Sequence, residues 1–329
     1  MKVRPFDWRD LPALHRVRDQ GVYLHSALVL TRGPLLVPGA LLSTFAPGMG
    51  IYTSISFNEQ AQPAQLFGQV IQAAGAQCAQ LTFLAPSEAL ENENLQVLLE
   101  HLSRQAVERG AFRLLADVDE RTAAFEMLRQ AGFAIYARQR IWQLKTSLSS
   151  GDESMAWQTA TERDLIAVRS LYNNLIPGLV QQVEPFPSER LRGLVFRQGG
   201  DLLAYIELKY GHRGIWAQPF IHPDAEDVVE KLIALLPNLP RRLSRPIYLC
   251  VRSYQSWLEP AIEHVGAEPS PRQAMMVKHL AVPQKAVRAF ALPAIEGGHP
   301  EVTAPFSRAQ VSQPEVTKSV TPQTEKQLF

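Results

Sequence analysis

Arg9-Asp10-Leu11-Pro12-Ala13-Leu14, near the start of the chain, is answered by Arg163-Asp164-Leu165-Ile166-Ala167-Val168 at an offset of 154. The ends match as well. Gly132 is followed six residues on by Arg138-Gln139 and an alternating apolar run to Leu144, and Gly266 six residues on by Arg272-Gln273 and a similar run to Leu280, an offset of 134. The second copy is therefore about 20 residues shorter in its middle. A repeat this long exceeds any solenoid unit and predicts two whole domains of one fold. The boundaries expected are 1–145, a Ser- and Gly-bearing linker over 146–156, a second domain over 157–282 and a disordered tail over 283–329, where Ser, Thr, Gln and Pro replace apolar periodicity.

The first copy reads as a strand at Lys2 to Pro5 and a helix from Asp7 to Gln20 with Leu11, Leu14 and Val17 on one face. A Gly- and Pro-punctuated segment over 31–50 follows, then strands at Ile51 to Phe57, Gly68 to Gln72 and Gln80 to Leu84. Leu95, Leu98, Leu99, Leu102 and Ala106 form the apolar face of a helix from Asn94 to Arg109. A buried strand at Phe112 to Val118, a helix from Glu120 to Ala131 and a closing pair of strands, Phe133 to Tyr136 and Gln139 to Leu144, complete the copy. The second copy repeats the order: a strand at Trp157 to Thr159, a helix at Glu162 to Tyr172, strands at Gly193 to Arg197, Leu202 to Tyr210 and Gly214 to Ile221, a helix at Ala225 to Leu236, a strand at Pro246 to Val251, a helix at Gln255 to Val265 and a strand at Arg272 to Leu280. The apolar segment Leu35 to Leu42, without a counterpart in the second copy, is the expected contact between the domains.

With 33 Lys plus Arg against 32 Asp plus Glu, the chain has no long-range field to favour nucleic acid or an anionic membrane. Arg241, Arg242 and Arg245 read as a solvated loop. No stretch has the length of a membrane span or the apolar core of a signal peptide, and Cys78 and Cys250 fall one per copy without zinc or disulfide spacing. A cytoplasmic, monomeric or weakly dimeric protein without a metal is expected, its two domains packed on each other.

An opening strand and helix, a meander, a helix, a buried strand, a second helix ending in Gly-Phe and a closing strand resemble the GCN5-related N-acetyltransferases. The resemblance is carried by Arg4-Pro5 with Arg9-Asp10-Leu11, by Leu81 to Pro86, and by Leu128 to Phe133; in the second copy by Thr159 to Leu165, Ile221-His222-Pro223 and Ala261 to Gly266. It implies an α/β fold of the mixed-sheet α+β kind: two tandem acyl-CoA N-acyltransferase folds, each a sheet whose strands splay so that an acyl-CoA can enter. It also implies acetyl-CoA or another acyl-CoA as cofactor, an amine as substrate, and cofactor contacts from the backbone of Leu84, Ala85, Phe220 and Ile221.

The chain departs from that family where phosphates dock. The family's Gly-rich loop gives way to Ala85-Pro86-Ser87-Glu88-Ala89-Leu90-Glu91-Asn92-Glu93 in the first copy, and to His222-Pro223-Asp224-Ala225-Glu226-Asp227 in the second. Acids there oppose a pyrophosphate; Asp224 and Asp227 read instead as helix capping. Leu128 and Ile262 stand where the family places a Tyr general acid, and both read as core. Tyr136 and Tyr254 read as strand and cap aromatics, Asp117 and Asp119 as turn caps, Glu207 as solvent-facing, and His222 and Cys250 as structural. No catalytic side chain is assigned. Two functions follow: acyl-CoA-dependent N-acyl transfer to an amine, as the resemblance implies, or a catalytically degenerate tandem protein that binds a ligand or partner.

Overall fold

In the computed structural model the repeated Arg-Asp-Leu stretches fold as two copies of one device. The structure describes residues 2–57, 65–91, 94–144, 157–186, 190–225, 227, 245–264 and 266–280; the linker, the Ala225 to Leu236 helix and the tail lie outside them. In the first copy Asp10 Oδ2 accepts the Asp7 N–H at 2.9 Å, and in the second Asp164 Oδ2 accepts the Thr161 N–H at 2.8 Å, each closing a capping box. An arginine from a strand then clamps the same carboxylate: Arg4 to Asp10 at 2.6 Å, Arg197 to Asp164 at 2.5 Å. Helix α1 (Leu11–Val17) and the helix Leu165–Leu175 start from these boxes.

Burial by itself would raise both aspartates, but the guanidinium and N–H donors hold them below the ordinary carboxylate value. A depressed folded pKa stabilises the fold above the unfolded value, and that contribution is lost as pH falls through the folded one. The double substitution Asp10→Asn, Asp164→Asn is therefore expected to lower Tm at neutral pH and to flatten its fall between about pH 4 and pH 2. Melting curves across pH check this; a wild-type slope in the double variant would remove it.

The strands form one continuous mixed sheet. The first copy contributes β1 (Lys2–Pro5), β2 (Val22–Tyr23), β3 (Ile51–Phe57), β4 (Leu66–Ile71), β5 (Cys78–Ala85), β6 (Arg113–Asp119) and β7 (Ala134–Leu144). The second contributes β8 (Trp157–Thr159), β9 (Gly193–Gln198), β10 (Asp201–Tyr210), β11 (Ile215–Ile221), β12 (Ile247–Arg252), β13 (Glu268–Pro269) and β14 (Gln273–His279). The order is β1-β3-β4-β5-β6-β14-β7-β12-β11-β10-β9-β8, with β2 beside β5 and β13 beside β7. Two separate sheets were the expectation; instead the copies exchange their last strands. β14 runs antiparallel between β6 and β7, and β7 between β14 and β12.

The exchange carries side chains with it. Ala274 and Met276 of β14 sit in the first copy's core with Leu98, Leu102 and Leu128, while Trp142 and Leu144 of β7 sit in the second copy's core with Ile262. The closing pair of strands expected at 133–144 is one strand, because β12 and β14 provide partners along its whole length.

The Gly- and Pro-punctuated segment 31–50 contains the end of one helix, α2 (Ser26–Arg32), and all of another, α3 (Leu36–Phe45). Its punctuation marks helix ends: Gly33 (φ +82°) terminates α2, and Pro38 falls in the first turn of α3, where no N–H is needed. Leu36 and Ala40 pack on Phe6, Leu14, Ile55 and Phe67 of their own copy, so Leu35 to Leu42 is not the contact between copies. That role falls to α2, whose Thr31 carbonyl accepts the Arg213 N–H at 2.8 Å and lies so close to Gly211 that a Cβ there would stand 2.0 Å from it. No single helix among the described residues is long and apolar enough to cross a membrane.

Candidate functional site

In each copy two parallel strands part company: β5 and β6 pair only from Cys78 to Gln80, and β11 and β12 only from Ile215 to Ala217. The two openings have different fates. In the first copy the chain re-enters its own opening. Val22 and Tyr23 pair with Leu84 and Phe83; the Leu24 N–H donates to the Thr82 carbonyl at 3.0 Å, and the Asp117 N–H donates to the Leu24 carbonyl at 2.9 Å. Leu24 thus replaces the missing rungs between β5 and β6. Leu84 and Ala85 are fully buried, with β4 along the other edge of their strand. An acyl-CoA does not fit this opening.

In the second copy no strand among the described residues pairs across the opening. Ile215 donates its N–H toward β12 and His222 toward β10, so by alternation residue 219 is the first to face the gap after the ladder ends. That residue is Pro219. A proline is tolerated in this central strand because the rung it would break is already absent. Phe220 and Ile221 are buried, and Gln255 Nε2 donates to the Ile221 carbonyl at 3.3 Å.

Above this opening, on one face of the sheet, lies a cavity of about 280 Å³ at the junction of the two copies. Its floor is a row of polar side chains from neighbouring strands: Asp117 on β6, Gln139 on β7, Arg252 on β12, Gln218 on β11 and Glu207 with Lys209 on β10. The repeated Arg-Gln pairs of the sequence meet beside it, Gln139 Nε2 donating to Gln273 Oε1 at 2.9 Å and Ser26 Oγ donating to the same oxygen at 2.9 Å. His25, Tyr172, Glu184 and Tyr254 complete the walls.

Charge in the cavity is organised around Arg252, which is buried; its Nη2 donates to both Glu184 carboxylate oxygens, at 3.2 and 3.0 Å. The Tyr136 hydroxyl donates to the same carboxylate and the Tyr172 hydroxyl to the Glu184 carbonyl. Burial, then the Glu184 charge, pushes the Tyr172 hydroxyl up to about 12 and Tyr136 well above its usual value; burial likewise raises Tyr254. All three stay protonated at neutral pH. Burial lowers and Glu184 raises the Arg252 pKa, with the net shift upward, so this cation keeps its charge. His25 Nδ1 lies 3.8 Å from Asp117 Oδ2, which also accepts the Ser26 N–H at 3.1 Å at the start of α2.

Placement differs from the sequence reading at several of these residues. Asp117 caps α2 from across the fold rather than its own turn. Glu207 lines the cavity, paired with Lys209 at 3.5 Å, rather than facing open solvent. Tyr136 and Tyr254 belong to the Glu184 and Arg252 surroundings. Leu128 and Ile262 are core residues, His222 stands at the surface 3.5 Å from Asp224, and the buried Cys250 thiol, pushed up to about 12 by burial, donates to Gln139 Oε1 at 3.2 Å. Glu184 and Arg252 went unread in the sequence. The only signal was a charged residue closing the apolar run Ile247 to Val251.

From His25 and Lys209 the cavity continues into a larger groove of about 800 Å³ between α2 and the start of β9, lined by Arg32, Thr159, Arg190, Arg192 and Tyr210.

No protein-family model matches this chain, and no curated protein does. Among solved structures it is similar to a GCN5-related N-acetyltransferase from Sphaerobacter thermophilus, at 11% identity over 85% of this chain and 95% of that one, with a TM-score of 0.51. A tandem GNAT protein from the clavulanic acid biosynthesis pathway matches at 15% identity over 85% and 98% of the two chains, with a TM-score of 0.48. A GNAT-family acetyltransferase from Colwellia psychrerythraea matches at 16% identity over 85% and 100%, with a TM-score of 0.42. The first likeness shows the fold: the chain carries the mixed α/β architecture of the GCN5-related N-acetyltransferases, here written twice.

Proposed function

We propose that this protein works through one site, the central cavity, where acyl-CoA-dependent N-acyl transfer uses the opening of the second copy with side chains from both copies, the first copy's own opening being closed. The observation that carries this reading is the contrast between the openings: Leu24 crosses the first, whereas a ligand-sized cavity adjoins the second. An acyl-CoA bound at β11 and β12 would supply the acyl group. His25, its Nδ1 3.8 Å from Asp117, would take a proton from an amine in the cavity, and Tyr254, held protonated by burial on the same cavity wall, would donate one to the departing thiolate. A second reading, binding without transfer, is favoured by Pro219, which offers no N–H to the gap, and by Asp224 and Asp227 beyond it.

Calorimetric titration of acetyl-CoA and free CoA into the full chain separates the two. Binding, with turnover that falls roughly a hundredfold in Tyr254→Phe at unchanged cofactor affinity, is the expected result. No heat at millimolar cofactor ends the acyl-transfer reading and leaves the binding one.

A further inference from the structure

The cavity and its groove together carry five cations, Arg32, Arg190, Arg192, Lys209 and Arg252, against three carboxylates, in a chain that is otherwise close to neutral. The carboxylates are spoken for: Glu184 by Arg252, Glu207 by Lys209, and Asp117 by the Ser26 N–H with His25 beside it. Arg32, Arg190 and Arg192 have no carboxylate partner among the described residues. They converge from two separate elements, the last turn of α2 and the segment entering β9. On the cavity wall three buried groups are without a hydrogen-bond partner among the described residues: Trp216 Nε1 and Arg252 Nε, which can only donate, and His25 Nδ1, which can donate or accept. These unpaired cations and donors match an acceptor-rich anion. A single carboxylate is satisfied by one guanidinium, whereas several guanidiniums around one groove match a multiply charged oxyanion.

We propose that the groove holds the phosphate or diphosphate group of a small molecule whose uncharged polar part reaches into the cavity. This rests on the cavity being the functional site and not on acyl transfer. The test is calorimetry of inorganic pyrophosphate with the full chain at low salt, for the wild type and for Arg190→Ala, Arg192→Ala. Both arginines are exposed, and an unchanged Tm establishes that the variant folds. Binding that weakens with added salt and drops about tenfold or more in the variant is the expected result. No heat in the wild type, or equal affinity in the variant, overturns the proposal. Competition between acetyl-CoA and pyrophosphate, with both lost in the variant, would place the cofactor's own phosphates in the groove and overturn it too. If acetyl-CoA gives no heat while pyrophosphate binds and the variant weakens it, acyl transfer falls and the phosphate groove stands.

Discussion

A fragment ending in the linker, residues 1–150, is expected not to fold. In the whole protein β14 supplies β6 with its antiparallel neighbour along the full length of that strand, from Gln273 opposite Asp119 to His279 opposite Arg113. The fragment loses that ladder and leaves β7 without its partners β14, β12 and β13. It also exposes the side of the first core that Ala274 and Met276 cover. Each lost backbone hydrogen bond costs about 1 kcal/mol, and uncovering a Met-sized side chain about 2 kcal/mol. The sum over two strands reaches the ~5–15 kcal/mol that holds a typical domain together. Circular dichroism should show no cooperative transition for 1–150 alone and none for 151–283 alone, while mixing the two restores one. A native-like melt of the isolated first copy would show that the exchanged strand is dispensable.

The second large effect is expected at Glu184. Arg252 is buried at the cavity floor, and Glu184 is its only carboxylate partner among the described residues. Substituting Glu184→Ala leaves a buried guanidinium without its counter-charge, and removes the acceptor of the Tyr136 hydroxyl. Breaking a buried pair from one side costs about 3–5 kcal/mol. Since the glutamate side chain is 29% exposed and water reaches it, the lower end is expected. The double substitution Glu184→Leu, Arg252→Met removes both charges and should recover much of the loss, while abolishing ligand binding in the cavity. Denaturant melts of the single and double variants check this. Equal destabilisation of the two would mean that shape, not charge, governs the site.

How far the sequence reaches can be judged element by element. The repeat was legible because it rests on local rules: an aspartate at the third position of a capping box, an apolar stripe at helical spacing, a glycine ending a helix. The helix at Asn94, the meander strands and the burial of Leu128 and Ile262 are of this kind. The helices in and before segment 31–50 went unread because glycine and proline punctuate helices at their ends as readily as loops, and composition does not say which.

The site belongs to the other class. Its residues come from positions as far apart as His25, Asp117, Glu184 and Arg252, and no spacing along the chain marks them. Closure of the first opening depends on Leu24 meeting Thr82 and Asp117 at once, a three-way contact that strand periodicity does not encode. Two copies of one fold, most of their helices and strands, and the absence of a glycine cradle for phosphates follow from the sequence. The trade of last strands between the copies, the plugging of one opening while a cavity adjoins the other, and the meeting of Gln139 with Gln273 where the repeats cross emerge from long-range packing. The reason is physical. Local propensities and periodicities act over a few residues, whereas strand partners and cavities are chosen by which buried surfaces and backbone groups remain to be satisfied when the whole chain closes.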